Sequence, residues 1–77
     1  MILKVISAQD ILFQGEVDSV TLPGTEGEFT VLRNHASLIS TLESGTVTYH
    51  HDGRSGEVQV NGGIVDVDNN VVSVCIY

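Results

Sequence analysis

The sequence predicts an all-β fold: a two-sheet β-sandwich, or flattened barrel, of about eight to ten short strands. Three observations carry that prediction. Apolar and polar residues alternate with period two along most of the chain, and β-branched residues fill the alternating runs. Gly, Asn and Asp interrupt those runs roughly every eight to twelve residues, the spacing expected of a sandwich.

The elements follow in order. In VDSVTL, Val20 and Leu22 share a face with Asp18, opposed by Val17, Ser19 and Thr21. Pro23-Gly24 is expected to close that strand at Leu22. HASLISTL is the best helical candidate, but Ser, Thr and Ile make it a poor helix and Leu38, Ser40 and Leu42 alternate. It reads as a strand, or as a short turn followed by one. Gly45 is expected to break the run after Leu42. In GTVTYHH, Val47, Tyr49 and His51 alternate with Thr46, Thr48 and His50, and in GEVQVNG Val58 and Val60 lie on one side. Asp52-Gly53 suits a tight hairpin between Tyr49 and Val58. Asp68-Asn69-Asn70 suits a second one between two Val-rich runs. The closing VVSVCIY is apolar on both faces, with Val72, Val74 and Ile76 opposed by Val71, Cys75 and Tyr77. Such a strand is central in a sandwich or covered outside by a partner.

A chain of 77 residues is expected to form one domain, residues 1–77. Ten acidic residues against Lys4, Arg33 and Arg54 give a net charge of −7. Such a surface repels phosphate backbones and anionic headgroups, which disfavours nucleic acid and lipid insertion and favours partners that are neutral or basic where they touch. Cys75 is the only cysteine, which points to a reducing compartment and to a small hydrophobe packed in a strand. MILKVIS lacks the apolar core of a signal peptide, and no apolar run reaches membrane-spanning length, so a soluble intracellular protein is expected.

Candidate chemistry is thin. GTEG lacks the Lys and Ser/Thr of a phosphate-binding loop, and its glutamates would repel the ligand. Glu26 and Glu28 fall on one face if residues 26–28 are extended, but a loop on so small a body offers no cleft to exclude water. His50 and His51 are adjacent on a strand and face opposite ways. DVDNN lacks the glycine and terminal glutamate of a calcium loop. There is no G-x-S-x-G, and Cys75 lies in an apolar strand, a setting that does not favour a reactive thiolate. No catalytic residue, cofactor or metal is therefore expected. A biotinyl or lipoyl carrier needs a lysine at a hairpin tip, whereas the only lysine, Lys4, is near the N-terminus. The residues by themselves describe an acidic β-sandwich module that binds protein, with a small cupin-like metal-binding protein as the rival from another class.

Several motifs stand in a specific order: Ser7-Ala8 with Phe13 and Gly15, the loop Gly24-Thr25-Glu26-Gly27-Glu28, His35-Ala36 with Leu38, then Gly45 and the doublet Gly62-Gly63. In that order, over nearly the whole chain, they resemble the N-terminal domain of the epsilon subunit of F-type ATP synthases. The resemblance implies a two-sheet β-sandwich without an active site. It implies a rotor subunit beside the foot of the gamma subunit, on the c-subunit ring at the cytoplasmic face of a bacterial membrane, passing proton- or sodium-driven rotation to the catalytic head. Carried over residue by residue, it makes Glu26, Gly27 and Glu28 the contacts with the c ring, and Ser7, His35, Leu38 and Ser40 those with gamma. An uncovered gamma face implies self-association of the isolated chain at high concentration. Thr30, Arg33 and Ser37 depart from the family's frequent Gly and Pro positions, and Arg33 adds a cation near the ring-facing loop. Many members continue into a C-terminal helical hairpin that inhibits hydrolysis; none is expected within these residues, which end at Tyr77 straight after a strand.

Overall fold

A computed structural model describes all 77 residues, Met1–Tyr77. Seven strands carry the chain: β1 (Ile2–Ile6), β2 (Ile11–Glu16), β3 (Ser19–Gly24), β4 (Gly27–Leu32), β5 (Leu38–His51), β6 (Arg54–Asp68) and β7 (Val71–Ile76). They hydrogen-bond in the order β2-β1-β7-β6-β5-β3-β4, antiparallel except for the parallel pair of β1 and β7. No helix is long and apolar enough to cross a membrane.

This one sheet is folded over into two layers. β2 and β5 are four places apart in the order, about 19 Å if the sheet were flat. Yet the Phe13 and Tyr49 ring centroids lie 4.2 Å apart, and the Asp18 amide donates to the His50 carbonyl at 2.7 Å. Between the layers sits one cluster of ten valines and three leucines, the product of the β-branched alternation in the sequence. Counting the long strands β5 and β6 once in each layer gives nine segments, which is how seven strands produce the pattern of about eight to ten short ones.

Four local expectations are corrected. Gly45 does not break a strand: β5 runs through it, and a Cβ there would stand 2.9 Å from that of Pro23, so the glycine makes room for the proline ring of β3. Pro23-Gly24 lies within β3, at the interruption of the β3–β5 ladder, where a missing N–H leaves no gap, and the turn falls at Thr25-Glu26. Val17 is buried together with Val20 and Leu22, because the chain changes layers at Asp18 between β2 and β3 and the alternation restarts. Cys75 is exposed, pointing outward between buried Val74 and half-buried Ile76.

Both hairpins form two-residue turns with positive φ: 51° and 77° at Asp52 and Gly53, 51° and 63° at Asn69 and Asn70. The first is latched to the layer change. Asp18 accepts from the Asp52 amide at 3.1 Å and from the Arg33 guanidinium, with His51 Nδ1 at 3.9 Å. The Asp52 amide, then Arg33 and His51, hold the Asp18 carboxyl below its ordinary value of 3.8 against the opposing effect of desolvation. At Gly62-Gly63 the β5–β6 ladder skips Glu43 and Gly62. A Cβ on Gly63 would overlap the Cys75 carbonyl oxygen and come within 3.0 Å of the Ile76 Cα.

Urea unfolding should separate two kinds of glycine. Gly63→Ala is expected to lose at least about 2 kcal/mol, since backbone must move to admit the methyl. Gly53→Ala, at positive φ but in open space, should lose only about 1 kcal/mol. Equal losses would remove the close approach at Gly63 as a constraint. For Asp18 the sign is set by its lowered folded pKa: its contribution is present above the unfolded carboxyl pKa and disappears as pH falls through the folded one. Asp18→Asn should therefore be less stable than wild type at neutral pH, with the gap closing in acid below the ordinary carboxyl value. A gap that is constant with pH would show that the latch is not ionic.

Candidate interaction surface

The loop between β3 and β4 is tight because two glycines face each other at its base. Gly24 is buried, and a Cβ on it would stand 2.6 Å from the Gly27 carbonyl oxygen and 2.8 Å from the Phe29 ring. Gly27 takes φ 130°, which a side chain would resist. The loop is pinned to β5: the Thr25 amide donates to the Thr41 carbonyl at 3.1 Å, and the two threonine hydroxyls share a bond of 2.7 Å. Glu26, Gly27 and Glu28 are left exposed on a fixed support. Glu26 lines a shallow groove with Ile39, Ser40 and Ile64, so a residue assigned to the ring and one assigned to gamma share one hollow.

The larger feature is the outer face of the half-sheet β2-β1-β7-β6-β5. One row of paired residues crosses all five strands there: Ile11, Ile6, Cys75, Ile64 and Thr41. Ile39 lies diagonally beside Ile64 and is 75% exposed, and Ile11 is 61% exposed. Five strands span about 19 Å, so this is a continuous apolar strip and not scattered single side chains.

Ser7 holds the turn after β1, its amide bonded to the Asp10 carbonyl at 2.8 Å, at the end of the strip beside Tyr77. His35 lies towards the other end of the half-sheet, in a loop tied to the β6–β7 turn. There the Asn34 amide donates to Asn70 Oδ1 at 2.6 Å, Asn70 Nδ2 to Asn34 Oδ1 at 2.9 Å, and the Ser37 hydroxyl to Asp68 at 2.7 Å. His35 Nδ1 is 2.7 Å from the Ala36 carbonyl, which can only accept, so Nδ1 carries a proton and Nε2 is left facing outward. Leu38 and Ser40 share the inward parity of Leu42 and are half-buried, while Ile39 between them points out. The structure thus groups Ser7, Ser40 and Glu26 near the strip and sets His35 apart. Sequence reasoning missed Ile6, Ile11, Ile39 and Ile64. The available signal was the one already visible in VVSVCIY, apolar residues on both parities of a strand.

Asp18, His51 and Asp52 bring possible ligand atoms within 4.8 Å of one another. However, Arg33 already occupies Asp18, and His51 Nε2 sits 3.3 Å from Asp52, so the chemistry is that of an ion-paired latch. Glu26 and Glu28 are open to solvent, which leaves neither carboxylate in the dry environment that acid/base work requires. What the arrangement can do is hold two adhesive features, an acidic loop and an apolar strip, at fixed separation.

Comparison with known proteins identifies the family of this fold. The model of the ATP synthase delta/epsilon chain beta-sandwich domain matches residues 1–76. The ATP synthase epsilon chain of Leptospira borgpetersenii is 42% identical over 72 residues, covering 94% of this chain and 57% of its own. That of Sulfurimonas denitrificans is 43% identical over 75 residues, covering 96% and 58%. The chain therefore spans a little over half the length of these relatives. A chain from the structure of the Euglena gracilis mitochondrial ATP synthase OSCP/F1/c-ring superposes with a TM-score of 0.91 at 24% identity, over 99% of this chain and 49% of that one, which shows the shared fold. The chain belongs to the family of ATP synthase delta/epsilon beta-sandwich domains.

Proposed function

We propose that this chain is a non-catalytic rotor module of an F-type ATP synthase, joining the gamma subunit to the c ring and so supporting ATP synthesis driven by a proton or sodium gradient. It would work at the cytoplasmic face of a bacterial membrane as a peripheral part of the complex. Family membership supports this reading, as do the epsilon chains among its relatives. The observation that carries it is the apolar strip Ile11–Ile6–Cys75–Ile64, which has no covering element within the chain. The gamma subunit is assigned to that strip, with Ser7 and Ser40 at its margin and His35 and half-buried Leu38 beyond it, towards the far end. The ring is assigned to Glu26, Gly27 and Glu28, where carboxylates offer charge to basic loop residues. Both fit on one small body: two standard interfaces of about 800 Å² each would cover roughly a third of its 4623 Å².

Calorimetric titration into the gamma subunit of the same organism should give saturable one-to-one binding, abolished by Ile64→Asp and weakened by His35→Asp. Well-folded partners that do not bind would end the rotor reading. Binding unaffected by His35→Asp would remove that residue from the contact alone. In complexes reconstituted with the c ring, Glu28→Lys should lower rotor occupancy several-fold, with the defect shrinking as salt screens the contact. Full occupancy at low salt would clear Glu28 of a ring role.

A further inference from the structure

We infer that Lys4 and Asp66 fix the direction in which the partner lies across the apolar strip, and that the partner carries an acidic group facing Lys4 and a basic group facing Asp66. The inference rests on the docking of gamma on this face proposed above. Read across β2, β1, β7 and β6, the strip runs Ile11, Ile6, Cys75, Ile64, so both of its ends are isoleucines and it is apolar throughout in either direction. Apolar burial is non-directional and cannot tell a partner from the same partner turned round. The neighbouring row can. It reads Gln14, Lys4, Ser73, Asp66 and Ile39, placing opposite charges on β1 and β6.

Both side chains point outward, flanked along their strands by the buried pairs Leu3 and Val5, Val65 and Val67. Two strand spacings separate them, about 10 Å, close to the Debye length at 0.1 M salt, so a partner feels each charge largely on its own. Neither has an ion-pair partner within the chain. Lys4 is moreover the only lysine in a chain of net charge −7, and it stands next to the strip. A partner turned round would press acid on Asp66 and base on Lys4. Repulsion of that kind sets register and excludes wrong modes more than it adds affinity.

The test is a set of titrations into the intact gamma subunit at low and high salt with Lys4→Gln, Lys4→Glu, Asp66→Lys and Ile64→Asp, each first checked for an unchanged unfolding midpoint. Charge reversal at either position should weaken binding about tenfold at low salt, with Lys4→Gln intermediate, and high salt should erase most of the difference. Affinities within about twofold of wild type for all charge variants, with binding lost only in Ile64→Asp, would overturn the inference and leave the docking face standing. Wild-type binding by Ile64→Asp would overturn the docking reading itself, and this inference with it.

Discussion

The pairing of β5 with β6 runs in one register from Leu38 opposite Val67 to His51 opposite Arg54, and the other five strands are arranged around it. One end of that long hairpin carries β7, β1 and β2; the other carries β3 and β4. For the two halves to close over a common core, the ribbon must bend without losing its ladder. Gly62 and Gly63 allow this, since both are buried and Gly63 lies against the backbone of β7. Gly45 serves the same closure from the other strand by seating Pro23. A slip of one residue would turn every core valine of β6 outward, so register and core are a single constraint.

That constraint leaves a surplus. The core is filled by thirteen side chains, and no polar side chain is buried with them. The isoleucines of the outer face have no such role within the chain. An isoleucine at a half-exposed strand position gains β-propensity but loses solubility, and threonine would keep a strand preference without that loss if the fold alone were at stake. Their alignment across successive strands is therefore the strongest sign that the fold is shaped for attachment. The negative charge elsewhere is consistent with keeping such a face from collecting unselected partners.

Local features were legible in the sequence where chemistry and conformation coincide in adjacent residues. Asp52-Gly53 and Asn69-Asn70 announce their turns because few other residues take positive φ. The valine alternation gave the inward faces for the same reason, as parity is local. Gly45 and Pro23 misled because each answers to the other across a strand pair, and a glycine in sequence looks the same whether it ends a strand or vacates space. Cys75 and Ile39 were ambiguous because their strands are apolar on both parities, so the pattern carries no sign. The Asp18 latch draws on Arg33, His51 and Asp52, which no spacing rule connects. The family was readable because motif order over the whole chain is a long-range signal, whereas the strip is a register and exists only once the strands are paired.

Rigidity between the two adhesive features matters as much as their existence. In the coupling role proposed above, load entering at Glu26 must leave through the strip without deforming the body. The route is short. Thr25 is bonded to Thr41 through both backbone and side chain, and Thr41 is itself the β5 end of the strip, opposite Ile64. In that role force would pass from the loop into the β5–β6 ladder across these hydrogen bonds, with the valine core loaded only sideways. Close-packed interiors resist such shear because any displacement opens voids. In that proposed role, the linkage that closes the fold would also be the one that carries the torque.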